Sequence, residues 1–168
     1  MNNQDALKTA ELLAMLKPGY LPYPIFHQFV RLATTPIIEL VPLRIAVNGD
    51  VEVLLKKRST DDPIWPNQLH TPGTVIRATD TSYETALERI MNDELHLAQH
   101  QTPVFVKNVL HNSGRGLESA LVYFVEITSE PKDGAFYNTK SLPNTLVKSQ
   151  LDFIPDAVLH FKSTTPTS

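Results

Sequence analysis

"LHTPGTVIRATDTSYETALERIMNDELHL", Leu69 to Leu97, is the stretch on which the fold turns. An extended segment breaks at Pro72-Gly73, and the apolar spacing beyond it predicts a helix from about Ser82 to Leu97. Thr81 or Ser82 can cap that helix, and Glu84 stands three residues after Thr81, as a capping box requires. Residues three and four apart share a helix face, so positions 90, 93 and 94 project together, as do 89 and 93. Asp93 and Glu94 then offer two carboxylates beside Ile90, and Gly73 lets the backbone approach a ligand closely. With a carbonyl from the tight turn, such a set could hold a hard divalent cation, which takes oxygen ligands and keeps several waters. The competing reading of the same residues is a solvated helix face carrying ordinary surface charges.

Working outward, "PIIELVPLRIAV" (36–47) and "VEVLLKKR" (51–58) flank Asn48-Gly49-Asp50 and predict a hairpin. Pro42 is expected at an edge or a bulge, because it brings no N–H to a ladder. "STDDPIWPNQ" (59–68) reads as a proline-punctuated surface loop. "TPVFVKNVLHN" (102–112) and "LESALVYFVEIT" (117–128) predict a second hairpin around "SGRG", and "LDFIPDAVLHF" ends in a short helix at Pro155. Ahead of all this, residues 4–17 and the segment after Pro24 have helical spacing. They read as an extension that covers a sheet face or meets a second copy in a homodimer. The order predicts an α/β sandwich: a mixed sheet, a helix on each face, and added N-terminal helices. The expected divisions are 1–35 for the extension, 36–163 for the domain and 164–168 for a polar tail.

Composition narrows the function classes. The 168 residues suit one domain with a sizeable core, and 42% hydrophobic with 20% charged residues is ordinary for a globular chain. A formal charge of −3 argues against a broad nucleic-acid surface. No apolar run approaches the roughly 18–20 residues that span a bilayer. Without cysteine, disulfides and thiolate chemistry are excluded. The six histidines include no H-E-x-x-H spacing. "MNNQDALKTAELLAMLKPG" lacks the features of a signal peptide, and a cytoplasmic location is expected.

The segment 69–97 resembles the signature of the Nudix hydrolase superfamily, G-x5-E-x7-R-E-U-x-E-E-x-G-U, where U is a bulky aliphatic. Arg89 matches the motif arginine, Met91 the aliphatic position, Asp93 and Glu94 the paired acids, and Leu97 the last aliphatic. Pro72-Gly73-Thr74 matches the usual Pro-Gly-Gly, and Asp80 the first acid. Thr74 replaces the second glycine, Ile90 the glutamate after the arginine, and His96 the glycine near the helix end. Because one branch, the GDP-mannose mannosyl hydrolases, also carries an aliphatic residue after the arginine, "ALERIMNDEL" resembles that branch more than the standard box. So do "FVRLATTPIIEL", "LLKKRS" and "WPNQLHTPG" upstream. That branch uses a histidine just before the last core aromatic. Counting back from Phe153, "LVKSQLD" has none, and Lys148 stands near its place.

The resemblance implies a Mg²⁺ or Mn²⁺ ion held by Gly73, Asp93 and Glu94. Glu94, Asp93 and Arg89 form the catalytic set, Arg89 by bracing the loop–helix–loop. Arg58 and Arg77 are candidate phosphate contacts, since guanidinium forks match phosphate oxygens, and Trp65 could stack on a base or pack over the domain edge. The general base is open among Glu118, Asp152 and His111. The implied activity is metal-dependent hydrolysis of a nucleoside diphosphate linked to another group, a sugar nucleotide or dinucleotide. Two alternatives stand beside it. One is a domain of the same fold that has lost catalysis and binds a nucleotide-like ligand or a protein; the other is an unrelated α+β domain with a chance motif.

Overall fold

A computed structural model describes residues 2–96 and 102–164. Leu97 and positions 165–168 of the expected tail lie outside that range. Two helices, α1 (Asn3–Ala14) and α2 (Tyr23–Leu32), precede the strands β1 (Thr35–Ile45), β2 (Val51–Lys57), β3 (Leu69–His70) and β4 (Gly73–Val75). Helix α3 (Tyr83–Arg89) follows and runs into a π turn over Ile90–Glu94. Then come β5 (Val104–Asn112), β6 (Leu117–Glu126), β7 (Ala135–Asn138), a 3₁₀ turn over Lys148–Asp152, and α4 (Ile154–Thr164). The four residues of β7 fall in a stretch whose sequence carries no clear strand pattern.

The sheet runs β3-β2-β1-β6-β5, with β4 paired to β1 and β7 to β2. It is mixed, as expected: β1 is parallel to β6 and antiparallel to β2 and β4. The Asn48-Gly49 turn forms as predicted, with Gly49 at φ 83. Pro42 does not sit at an edge; it lies in the central strand. The N–H of Leu40 points toward Pro72 O, and the nitrogen of Pro42, two residues on, faces the same way. There β1 leaves β4, paired at Ile37–Glu39, and has not yet met β2, paired from Leu43. A missing donor in that interval removes no ladder bond.

Alternation along β1 fills two cores. Ile37, Val41 and Leu43 face Phe153, Ile154, Ala157 and Phe161, so α4 covers one side. Ile38 and Leu40 face Ala86, Leu87, Ile90, Met91 and Leu95, so α3 and its π turn cover the other. Each such side chain, once fully buried, contributes roughly 1.5–3 kcal/mol relative to exposure. The result is a helix on each face of a mixed sheet.

The N-terminal helices differ from each other. α1 buries no residue and exposes Leu7, Leu12, Leu13 and Met15. α2 buries Val30, whose carbonyl oxygen lies 2.5 Å from where a Cβ on Gly116 would stand. Glycine at 116 is thus what lets α2 seat against the β5–β6 hairpin tip.

Candidate functional site

The loop between β4 and α3 is tied to the helix by one arginine. Arg89 donates to Thr74 Oγ1 at 2.5 Å, to the Val75 carbonyl at 3.2 Å and to Asp80 Oδ2 at 2.7 Å. Asp80 also accepts from the Arg77 amide at 2.7 Å. Burial alone would raise the Asp80 pKa, but that amide and the Arg89 guanidinium outweigh it and hold the carboxyl below its usual range. Thr74, at the second glycine position of the motif, therefore serves as an anchor for Arg89. Ser82 is the cap, accepting from the Thr85 amide at 3.3 Å, so the box expected from Thr81 and Glu84 does not form.

The helix beyond Arg89 departs from the expected geometry. The Leu95 amide bonds to the Ile90 carbonyl at 3.2 Å, a five-residue step that widens the turn. At that wider pitch residues three apart swing away from each other, so Ile90 and Asp93 do not share a face. Ile90 is 1% exposed and packs in the core, Asp93 is exposed, and Glu94 is half-buried. Glu94 accepts a hydrogen bond from the Gly73 amide; burial raises its pKa, and Lys56, that amide, Arg58 and Arg89 temper the rise. Lys56 Nζ donates to the Glu94 carbonyl at 2.8 Å and pairs with Asp133 at 3.1 Å.

Gly73 has a second carboxylate against it. A Cβ there would stand 2.8 Å from Glu39 Oε2 and 3.0 Å from the Ile38 carbonyl. Glu39 also receives Thr71 Oγ1 at 3.2 Å and Gln150 Nε2 at 3.4 Å. Burial pushes its carboxyl up to about 8, with Arg115 opposing and Glu118 adding to the rise. The sequence did carry a signal for this residue, a lone acid inside the apolar run "PIIELVPL".

The three candidates for a general base come together. His111 Nδ1 lies 3.4 Å from Asp152 and its Nε2 lies 3.7 Å from Glu118. Glu118, 1% exposed, accepts from Arg115 Nε at 2.9 Å and lies 2.6 Å from its NH2. Arg115 was not singled out from sequence, where "NSGRG" reads as a hairpin tip that either rims a pocket or is merely a turn. Its guanidinium carbon lies 5.1 Å from the centroid of Trp65, and that of Arg58 lies 4.8 Å from the same ring. Asp62 holds Arg58 at 2.9 Å and accepts the Ile64 and Trp65 amides at 3.0 and 2.8 Å. Trp65 thus packs over the domain edge among cations.

A cavity of about 510 Å³ opens beside these groups. Arg58, Trp65, Gly73, Arg77 and Arg115 line it together with residues of the segment from Pro18 to Phe29. Of the residues singled out from sequence, Arg58, Arg77, Trp65 and Gly73 converge here. Glu94 adjoins the cavity through Gly73, and Asp93 and Arg89 are not part of the lining.

Among the described residues, no three histidine, aspartate or glutamate side chains are grouped so as to hold an ion. Of the expected set of Gly73, Asp93 and Glu94, Gly73 and Glu94 are joined by a hydrogen bond and Asp93 is exposed. The donors present fit one divalent ion that brings the rest of its shell from a ligand's phosphates: Glu94 and the Gly73 carbonyl. They do not fit a preassembled centre of several acids.

No family model matches the chain, and no curated protein matches its sequence. Solved structures do match. The NUDIX domain of Shewanella oneidensis NrtR, complexed with ADP ribose, is similar over 96% of this chain and 99% of that one, at 18% identity and a TM-score of 0.62. A mutT/nudix family protein from Listeria innocua matches over 77% and 94%, at 16% identity and a TM-score of 0.64. The Ap4A hydrolase of C. elegans matches over 79% and 97%, at 12% identity and a TM-score of 0.52. With its mixed sheet, its covering helices and its arginine-braced loop and helix, this chain has the Nudix fold.

Proposed function

We propose that the protein binds a nucleoside diphosphate derivative in the 510 Å³ cavity and hydrolyses it with the help of one divalent ion. The observation that carries this reading is the meeting of three arginines with Gly73, whose amide in turn holds Glu94. Arg58, Arg77 and Arg115 present guanidinium forks suited to phosphate oxygens. Glu94 and the Gly73 carbonyl would hold Mg²⁺ or Mn²⁺, which when bound neutralises phosphate charge and activates water. Arg89 keeps Gly73–Val75 and α3 in register, so its contribution passes through the loop. Trp65 holds two of the arginines at the rim. A sugar nucleotide or dinucleotide is the substrate class, supported by the resemblance of the 69–97 segment and by the ADP-ribose complex of the similar NrtR domain.

Hydrolysis of a panel of nucleotide sugars and dinucleotides with Mg²⁺ or Mn²⁺ tests this. Metal-dependent turnover that Glu94→Gln removes is the expected result. No turnover by the folded protein on any member of the panel overturns the hydrolase. A second reading, a domain that binds the same ligand without cleaving it, is favoured by Ile90, which stands in the core where the motif places an acid. The exposed apolar face of α1 we assign to a second copy in a homodimer. Light scattering across a dilution series reads the mass, and a monomer at all concentrations removes that assignment.

A further inference from the structure

Two unlike sets of side chains line the cavity. One carries the guanidinium groups of Arg58, Arg77 and Arg115. The other belongs to the N-terminal segment and carries Tyr20, Tyr23, Phe26 and Phe29. Three of these rings are unusually open for aromatic side chains: Tyr20 is 79% exposed, Phe29 47% and Tyr23 42%. Their surface is not spent on the core, in which Val30 is the one buried residue of α2. Trp65, which also lines the cavity, already has two guanidinium groups close to its ring. The guanidinium of Arg77 lies 6.0 Å from the Tyr20 ring, so the two sets meet at that point.

We propose that the Pro18–Phe29 segment is the base-recognition part of the site: its tyrosines and phenylalanines take the aromatic base of the ligand, and the arginines take the diphosphate. This rests on the reading of the cavity as a nucleotide site and assigns each part of the ligand to one set. A ligand with a flat apolar end and an anionic end matches an aromatic surface beside a cationic one. The N-terminal extension is then part of the binding site as well as a cover for the hairpin tip. Gly116 matters to recognition for the same reason, since it allows α2 to sit where the rings face the cavity.

Calorimetry with two probes, ADP and inorganic pyrophosphate, separates the two sets. Binding is also read from the fluorescence of Trp65, the single tryptophan, which lines the cavity. Tyr20→Ala and Tyr23→Ala remove exposed rings without touching the core. Each is expected to weaken ADP roughly tenfold, the scale of one lost stacking contact, and to leave pyrophosphate within about twofold. Tyr23→Ala guards against an indirect effect, because Tyr23 has no guanidinium over its ring; its ring neighbour is His27, at 5.9 Å. Arg77→Gln is expected to weaken both probes alike. Equal affinity for ADP in wild type and both tyrosine variants overturns the assignment while leaving the nucleotide site standing. Failure of wild type to bind either probe overturns the site and the assignment together.

Discussion

Arg89 and Asp80 form an ion pair of 2.7 Å, with Asp80's side chain 6% exposed and Arg89's 17%. The same guanidinium reaches Thr74 and the Val75 carbonyl, so one side chain fixes the loop that presents Gly73. Arg89→Ala leaves Asp80 with the Arg77 amide alone in a buried setting. The expected cost is about 2–4 kcal/mol, read as a lower denaturation midpoint. Arg89→Lys should recover only part of it, because a single ammonium cannot make the forked contacts. Full stability in Arg89→Ala would mean that the loop is held by something else.

Glu94 stands apart from that brace. Its carboxylate accepts from the Gly73 amide, and Glu94 lies outside the apolar core. Glu94→Gln is therefore expected to abolish metal-dependent turnover while shifting the melting temperature by only a few degrees, about 1 kcal/mol in a domain of this size. Retained turnover would take the helix out of the mechanism.

Ile90 is where an expectation from sequence reverses. If 90, 93 and 94 shared a face, Ile90→Glu would complete a metal site. With Ile90 packed among Ile38, Leu40 and Leu54, the substitution instead puts a carboxyl into an apolar core. A loss of at least about 3 kcal/mol and no gain in Mn²⁺ affinity are expected. A stable variant with tighter Mn²⁺ binding would show that residue 90 does reach the site.

Glu39 and His70 predict how stability follows pH. The folded protein keeps a proton on Glu39 up to about 8, whereas the unfolded chain releases it near 4.5. Stability from this residue is therefore present at low pH and is lost as pH rises through that window. His70 acts in the opposite sense. Burial, with Arg58 adding to it, lowers it from 6.5 to about 4, so stability is lost as pH falls below 6.5. The two oppose between about 4.5 and 6.5, and from 6.5 to 8 Glu39 acts alone. Wild type should lose up to about 1.4 kcal/mol per pH unit there, and Glu39→Gln should flatten that limb. Denaturation midpoints at pH 6.5, 7.25 and 8 read the slope, and an identical slope in the variant would rule Glu39 out as its source.

Local rules made much of the fold legible. The Asn48-Gly49 turn, the alternation of β1, β2 and β6, and the apolar spacing of α3 depend on residues within a few positions of one another. The bracing role of Arg89, by contrast, was implied by the resemblance of the 69–97 segment. The retained motif residues also marked the loop that carries Gly73, although Ile90 lies in the core.

What sequence could not show arises between distant segments. The π turn at Ile90–Glu94 cannot be foreseen from a count of three and four. Pro42 is tolerated in a central strand because β1 changes partner beside it. Gly73 lies under Glu39, Gly116 lies under α2, and Arg115 sits by Trp65 across some fifty residues of chain. The amino-acid sequence by itself determined the long strands β1, β2, β5 and β6 and the Asn48-Gly49 turn, products of short-range conformational preference and periodic burial. Only the tertiary structure decided that the N-terminal segment shares a cavity with three arginines, because that arrangement depends on long-range packing with no local signature.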